Sequence, residues 1–255
     1  MDSVDSLIKF SVDQFFKHHR FSETRDEKNF YRGDVVISCR KKQLTIEWVG
    51  DSCGGAIFSH RVNPILNLIS QVMDREGVDL DCRIILGPHD SINKGDPVER
   101  EVSKVGFCCP LNSPHFAIPD PHYLSYVANP VPDTVKWEDK RDQVVFRGTD
   151  GSMDRINFSF LSYPNSFIDS KISRFLSHDK ESLLSQGIDI NHIRGDWLTH
   201  HDQLEFKYIL DLYGHSIGWD RPCWGLPSNS IVILGLPKTQ RSFTWYYPYI
   251  KENKI

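Results

Sequence analysis

A chain of 255 residues, 39% hydrophobic and 25% charged, has the composition of a globular protein, long enough for one large domain or two modest ones. Its formal net charge of −4 supplies no overall basic field, which argues against nucleic acid or an anionic membrane surface as the main partner. No apolar run approaches the ~18 residues of a bilayer span, and MDSVDSLIKFSVDQFF at the start lacks the basic head and unbroken apolar stretch of a secretory signal; a cytoplasmic protein is expected.

In chain order, Val4, Leu7, Ile8, Val12, Phe15 and Phe16 recur at helical spacing and predict an amphipathic helix that ends at the polar run 17–20. Two β-rich runs, VVISCR (35–40) and QLTIEWV (43–49), flank a pair of lysines and read as a hairpin, broken off by residues 51–55. From Pro64 the apolar spacing is helical, with proline in the first turn and Gly77 as the stop. CRIIL (82–86) is a short strand ending in Gly87-Pro88-His89-Asp90, and VGFCCPL (105–111) reads as another. A strand that follows a helix and ends in polar residues marks an α/β unit whose loop faces a crevice.

Prolines at 110, 114, 119, 121, 130 and 132 argue against regular structure between these positions, and the end of that stretch, near Pro132 and Asp133, reads as a linker. Two α/β halves are expected, residues 1–133 and 134–255. The second reads as a strand at 143–147, a helix around 153–162, a variable helical region at 170–186, an amphipathic helix at 200–212 and the strand SIVILG at 230–235. Cys39, Cys53, Cys82, Cys108, Cys109 and Cys223 form no C-x-x-C pair, so buried thiols are expected rather than a disulfide framework or a zinc site.

Two segments carry residues suited to chemistry. In FRGTDGSMDR (146–155) a strand runs into a glycine-rich turn and then a helix, with Arg147 and Arg155 on either side. Glycines let the backbone approach a ligand, a helix N-terminus attracts an anion, and arginines can add paired donors, which together suit a phosphate. The alternative is a strand-turn-helix corner with surface arginines, since the turn matches neither a Walker loop nor GxGxxG. In KYILDLYGHSIGWDRPCWGLPSNSIVILG (207–235), Asp211, Gly214, Ser216 and Arg221 lie between an apolar helix or strand and a β-run preceded by Ser228-Asn229-Ser230. A metal is not expected: Asp79-Leu80-Asp81 spells DxD but precedes a strand, and His200-His201-Asp202, with His192 nearby, reads as a helix cap because adjacent helical histidines point apart.

Taken together, these segments resemble the CAP10-like glycosyltransferases of family 90, the protein O-glucosyltransferase and xylosyltransferase type. The resemblance is carried by WEDK (137–140) followed by VVFRGTDGS and Arg155, by KYILDLYG (207–214) with Arg221 behind it, and by Ser228-Asn229-Ser230 before a strand; PHYLSY (121–126) and Asp90 match more weakly. Thr149 stands where the family has serine, and the loop before Arg221 is one residue longer. The compact form is similar to members from large algal DNA viruses.

The resemblance implies a GT-B-like α/β fold, two Rossmann-like halves facing a central cleft, and a metal-independent inverting transfer of xylose or glucose from a uridine diphosphate sugar to a hydroxyl of a glycan or glycoprotein. No tightly bound cofactor is implied. On the donor side it points to Arg147, Gly148, Thr149, Arg155, Asp211, Gly214, Ser216, Arg221 and Ser230. It puts the catalytic base at Asp90, which could otherwise merely cap a turn, and makes His89, Asp120 and Tyr123 acceptor-side residues, Asp120 being the reserve base. The rival expectation is a nucleotide- or carbohydrate-binding module without turnover.

Overall fold

The computed structural model describes residues 34–40, 43–49, 58–77, 81–89, 104–110, 115–215, 220–235, 242–244 and 246. The expected N-terminal helix, Asp79, Leu80, Cys53, Asp90 and Ser216 lie outside them. The protein is a mixed α/β structure in two compact units. One takes the described residues up to Leu124 together with those from 242 on, and the other is Ser125–Gln240.

The first unit is built on a five-stranded sheet in the order β2-β1-β3-β4-β6. The hairpin β1 (Val35–Arg40) and β2 (Gln43–Val49) is antiparallel, as its sequence requires. β1 also pairs antiparallel with β3 (Cys82–Gly87). From β3 the sheet turns parallel, through β4 (Lys104–Gly106) to β6 (Phe116–Ala117). A wide helical turn, Phe58–Val62, leads into α1 (Asn63–Glu76), which has proline near its start and ends at Gly77 in the left-handed conformation, φ 64°. Glycine alone takes that φ without a Cβ penalty.

Val35, Val36, Ile37 and Leu86 are wholly buried, and Met73 of α1 joins them by taking the thiol hydrogen of Cys39 at 3.1 Å. A charged pair lies in the same interior: Lys104 Nζ donates to Asp34 Oδ2 at 2.7 Å, with both side chains almost fully buried. The run 105–111, read as one strand, is two. Phe107 separates β4 from β5 (Cys108–Pro110), which leaves the main sheet and pairs antiparallel with β11 (Ser242–Thr244). The proline-rich stretch also holds a helix, α2 (Pro121–Ala128), because proline in first position loses no hydrogen bond.

The second unit is a four-stranded sheet, all parallel, in the order β10-β9-β7-β8. β7 (Arg141–Thr149) leads through α3 (Met153–Ser162) to β8 (Ile168–Arg174). The short helices α4 (Lys180–Ser185), α5 (Ile190–Ile193) and α6 (His200–Gln203) follow, then β9 (Phe206–Leu212), α7 (Arg221–Gly225) and β10 (Ile231–Gly235).

Two of these elements correct the sequence reading. The helix expected over 200–212 is one turn, opened by a capping box between Thr199 and Asp202, followed by a strand. Phe206, Ile209 and Leu210 fall at spacings that fit either element, and a short apolar run buried in a parallel sheet cannot be told from a helix by period. The region 170–186 likewise begins as β8.

The sheet has a core on each side. Val144, Phe146, Ile156, Ile172, Leu183, Ile193, Leu210 and Leu212 form one, drawing on α3, α4 and α5. Val145, Leu204, Phe206, Ile209 and Trp224 form the other. Alternate residues of β7 serve opposite sides, as a strand covered on both faces must arrange.

Candidate functional site

β7 connects through α3 to β8 on one side, whereas β9 connects through α7 to β10 on the other. The loops after β7 and β9 therefore diverge from neighbouring strands. This is the switch point at which open α/β sheets take their ligands, outside the carboxyl ends of the strands. Arg147, Gly148, Thr149 and Arg155 come to it from β7 and α3, Asp211 and Gly214 from β9 and its loop, and Arg221 from the start of α7.

Each arginine there has a defined set of partners. Arg155 donates from Nε and Nη2 to the Leu212 carbonyl, at 3.1 and 2.9 Å, and from Nη1 to the Thr149 carbonyl at 3.2 Å. It thus laces the end of β9 to the end of β7. Ser152, the N-cap of α3, accepts from the Arg155 N–H and donates to the Tyr213 carbonyl at 2.8 Å, a second tie between the same loops. Arg147 donates to the Asp169 carboxylate at 2.8 Å and to the Phe146 and Asp169 carbonyls. Arg221 bonds Asp211 Oδ1 at 3.3 Å and the Arg147 carbonyl. The guanidinium carbons of Arg155 and Arg221 sit 5.4 and 4.8 Å from the centre of the Phe146 ring, a favourable cation-aromatic geometry. Among the described residues, Nε of Arg147 and Nε of Arg221 are buried with no acceptor.

Glycines set how closely these groups approach. A Cβ on Gly214 would stand 2.7 Å from the Arg155 guanidinium carbon, and one on Gly148 would stand 2.8 Å from the Phe146 ring. A Cβ on Gly151 would meet Arg155 Nη1 and the Gly214 Cα only at ordinary contact distance.

The carboxylates divide by environment. Burial pushes Asp211 up to about 6, against the opposing pull of Arg221. Asp150, wholly buried, is also pushed up by burial, but the N–H groups of Leu176, Ser177 and His178 and the His178 ring all point at it, and the net result lies below its ordinary value. Asp150 therefore ties the turn after β7 to the loop after β8.

Ser230 lies elsewhere. It precedes β10 and donates to the Phe206 carbonyl at 2.7 Å, at the amino end of the sheet, opposite to the arginines. His200, one of the paired histidines, stacks on Trp224 at 4.7 Å and meets the edge of Tyr126 at 5.1 Å. Burial, aided by Arg221 and opposed by Asp220, holds its pKa below the usual histidine value. Among the described residues no three His, Cys, Asp or Glu side chains are grouped to hold a metal ion.

In the first unit, the carboxyl ends of parallel strands again gather polar residues. His89 lies two positions beyond β3 and Asp120 three beyond β6. Arg61 joins the two loops: its Nη1 donates to the Pro88 carbonyl at 2.9 Å and its Nε stands 3.4 Å from Asp120 Oδ2. Tyr123 is part of α2.

Sequence reasoning passed over Arg61, Asp150 and Asp169. Asp150 was visible only as a turn residue, Asp169 fell between two segments read as helical, and Arg61 carried no motif. Comparison of the chain with protein-family models and with curated proteins finds no match to either.

Proposed function

We propose that this chain is an inverting glycosyltransferase that moves xylose, or glucose, from a uridine diphosphate sugar to a hydroxyl of a glycan or glycoprotein, with two Rossmann-like halves in a GT-B-like arrangement. The observation that carries the reading is the gathering of Arg147, Arg155 and Arg221 with Gly148, Gly151 and Gly214 at the switch point of an all-parallel sheet. It falls on the segments whose sequence resembles family 90.

Inversion at a sugar carbon needs a base for the acceptor proton and fixed positive charge for the departing diphosphate. On this reading the three guanidiniums and the first turn of α3 supply the charge. Arg155, whose three nitrogens already donate to carbonyls, contributes bracing and field rather than a direct bond. Asp120 is buried against Arg61 and suits an anchor better than a base. Asp90, the position to which the resemblance to family 90 points, is the base on this reading, with His89 and Tyr123 on the acceptor side.

A thermal-shift series with uridine, guanosine and adenosine diphosphates tests the donor site. A ligand bound only by the native state stabilises it by about 2.7 kcal/mol at a hundredfold excess over Kd. Uridine diphosphate is expected to raise Tm most. Equal shifts for the three, or none, would overturn the reading. A binding module without turnover would give the shift but release no sugar from uridine diphosphate xylose or glucose to water or acceptor.

A further inference from the structure

β1 and β3 place Cys39 and Cys82 directly opposite each other at the end of their antiparallel ladder. Opposed residues in such a pair have Cα atoms about 4.5–5.5 Å apart, within the span of roughly 4.4–6.8 Å that a disulfide bridges. Both are thiols in this structure. They differ in access: Cys39 is wholly buried, its hydrogen directed at Met73 Sδ, while Cys82 is partly exposed. The ladder ends beside them in an exposed ion pair, Arg40 with Asp81 at 3.4 Å, so solvent reaches the Cys82 side of the pair. The other described cysteines are placed differently. Cys108 and Cys109 lie opposite Thr244 and Phe243, and Cys223 belongs to the second unit.

We propose that Cys39 and Cys82 form a modification site, closing a reversible cross-strand disulfide by exchange with a low-molecular-weight disulfide. The Cys82 sulfur attacks one sulfur of the reagent, forming a mixed disulfide and releasing one thiol; the Cys39 sulfur then attacks Cys82 Sγ and releases the second. The two protein thiols lose two electrons and two protons, and the reagent leaves as two thiols, so the exchange balances. Partial exposure makes Cys82 the point of entry, and burial beside it makes Cys39 the resolving partner. A hydrogen bond links the two thiols, and burial together with Cys39 pushes Cys82 up to about 12. The pair therefore rests reduced and reacts slowly, because the thiolate is the attacking species.

The test uses the whole chain, oxidised glutathione as the reagent, alkylation of residual thiols and non-reducing peptide mapping after prolonged incubation. The expected product is one cross-linked peptide pair carrying Cys39 and Cys82, lighter by two hydrogen atoms than the separate peptides and split by dithiothreitol. Cys39→Ser should stop the reaction at a stable glutathione adduct on Cys82, and Cys82→Ser should leave Cys39 unmodified. A lasting glutathione adduct on Cys82 of the unsubstituted chain, a bridge from either residue to another cysteine, or no reaction of the pair at all would overturn the proposal. Because the pair lies in the first unit, none of these outcomes bears on diphosphate binding, so the inference and the proposed function fail separately.

Discussion

Asp211 is a buried carboxylate that accepts a hydrogen bond from the Arg221 guanidinium 3.3 Å away. Burial raises its folded-state pKa from 3.8 to about 6. Between about pH 4 and pH 6 the native state thus holds a proton that the unfolded chain has released, so this group's contribution to stability falls as pH rises through the window and is level above it. The fall is on the order of 2–3 kcal/mol, and denaturant unfolding at pH 4.5 and 7 should show the slope shrinking in Asp211→Asn. Arg221→Ala leaves the carboxylate without its countercharge and is expected to cost about 3–5 kcal/mol; Arg221→Lys should restore only part, since an ammonium cannot span Asp211 and the Arg147 carbonyl as a planar fork does. Gly214→Ala drives a methyl group into a guanidinium held by the Leu212 carbonyl. A loss of about 1–3 kcal/mol in urea unfolding is expected, and an unchanged midpoint would show that Arg155 moves aside freely. Of these residues, Gly214, Asp211 and Arg221 were legible as a cluster because small and charged residues interrupt an apolar stretch, whereas the use of Arg155 as a brace depends on carbonyl positions that side-chain identities do not encode.

At the scale of elements, the turn after β7 owes its shape to Asp150, which receives N–H groups from Leu176, Ser177 and His178 across the loop after β8. Its lowered pKa means that it contributes stability above about pH 4, the unfolded value being 3.8, and that this contribution is lost as pH falls through the folded value. The window lies below that of Asp211, so the two groups separate in an acid titration. Asp150→Ala, which strands those donors, is expected to destabilise by about 3 kcal/mol, and hydrogen exchange should quicken first at 176–178. Elements bounded by their own signals were read correctly from sequence. Gly77 and Pro64 frame α1, and two lysines separate the hairpin strands. β8 and β9 were not, because β9 gains its strand character from β7 and β10 on its two sides and β8 from β7, and pairing between distant segments leaves no local trace in FKYILDL or IDSKISR.

For the molecule as a whole, the proposed base and the arginines belong to different compact units, so substitutions should separate binding from transfer. Asp90→Asn is expected to leave the uridine diphosphate thermal shift intact while slowing transfer about 10²–10⁴-fold. Loss of the shift in Asp90→Asn, or near-normal transfer, would move the base elsewhere. That the protein is α/β was legible in the alternation of short apolar strands with helical periods. That the strand 242–244 belongs with the first unit was not, because nothing in SFT names its partner. The pairing of β11 with β5 has a consequence for biosynthesis. A ribosome delivers β5, then all of residues 125–240, and only then the strand that completes β5's edge. The second unit is complete in sequence before the first has received its last strand. Long-range pairings of this kind close slowly and leave a strand edge open to other chains in the interval. Free chains truncated after residue 240 are therefore expected to resist protease across 141–235 and to be cut within 104–117, whereas the full chain should resist at both.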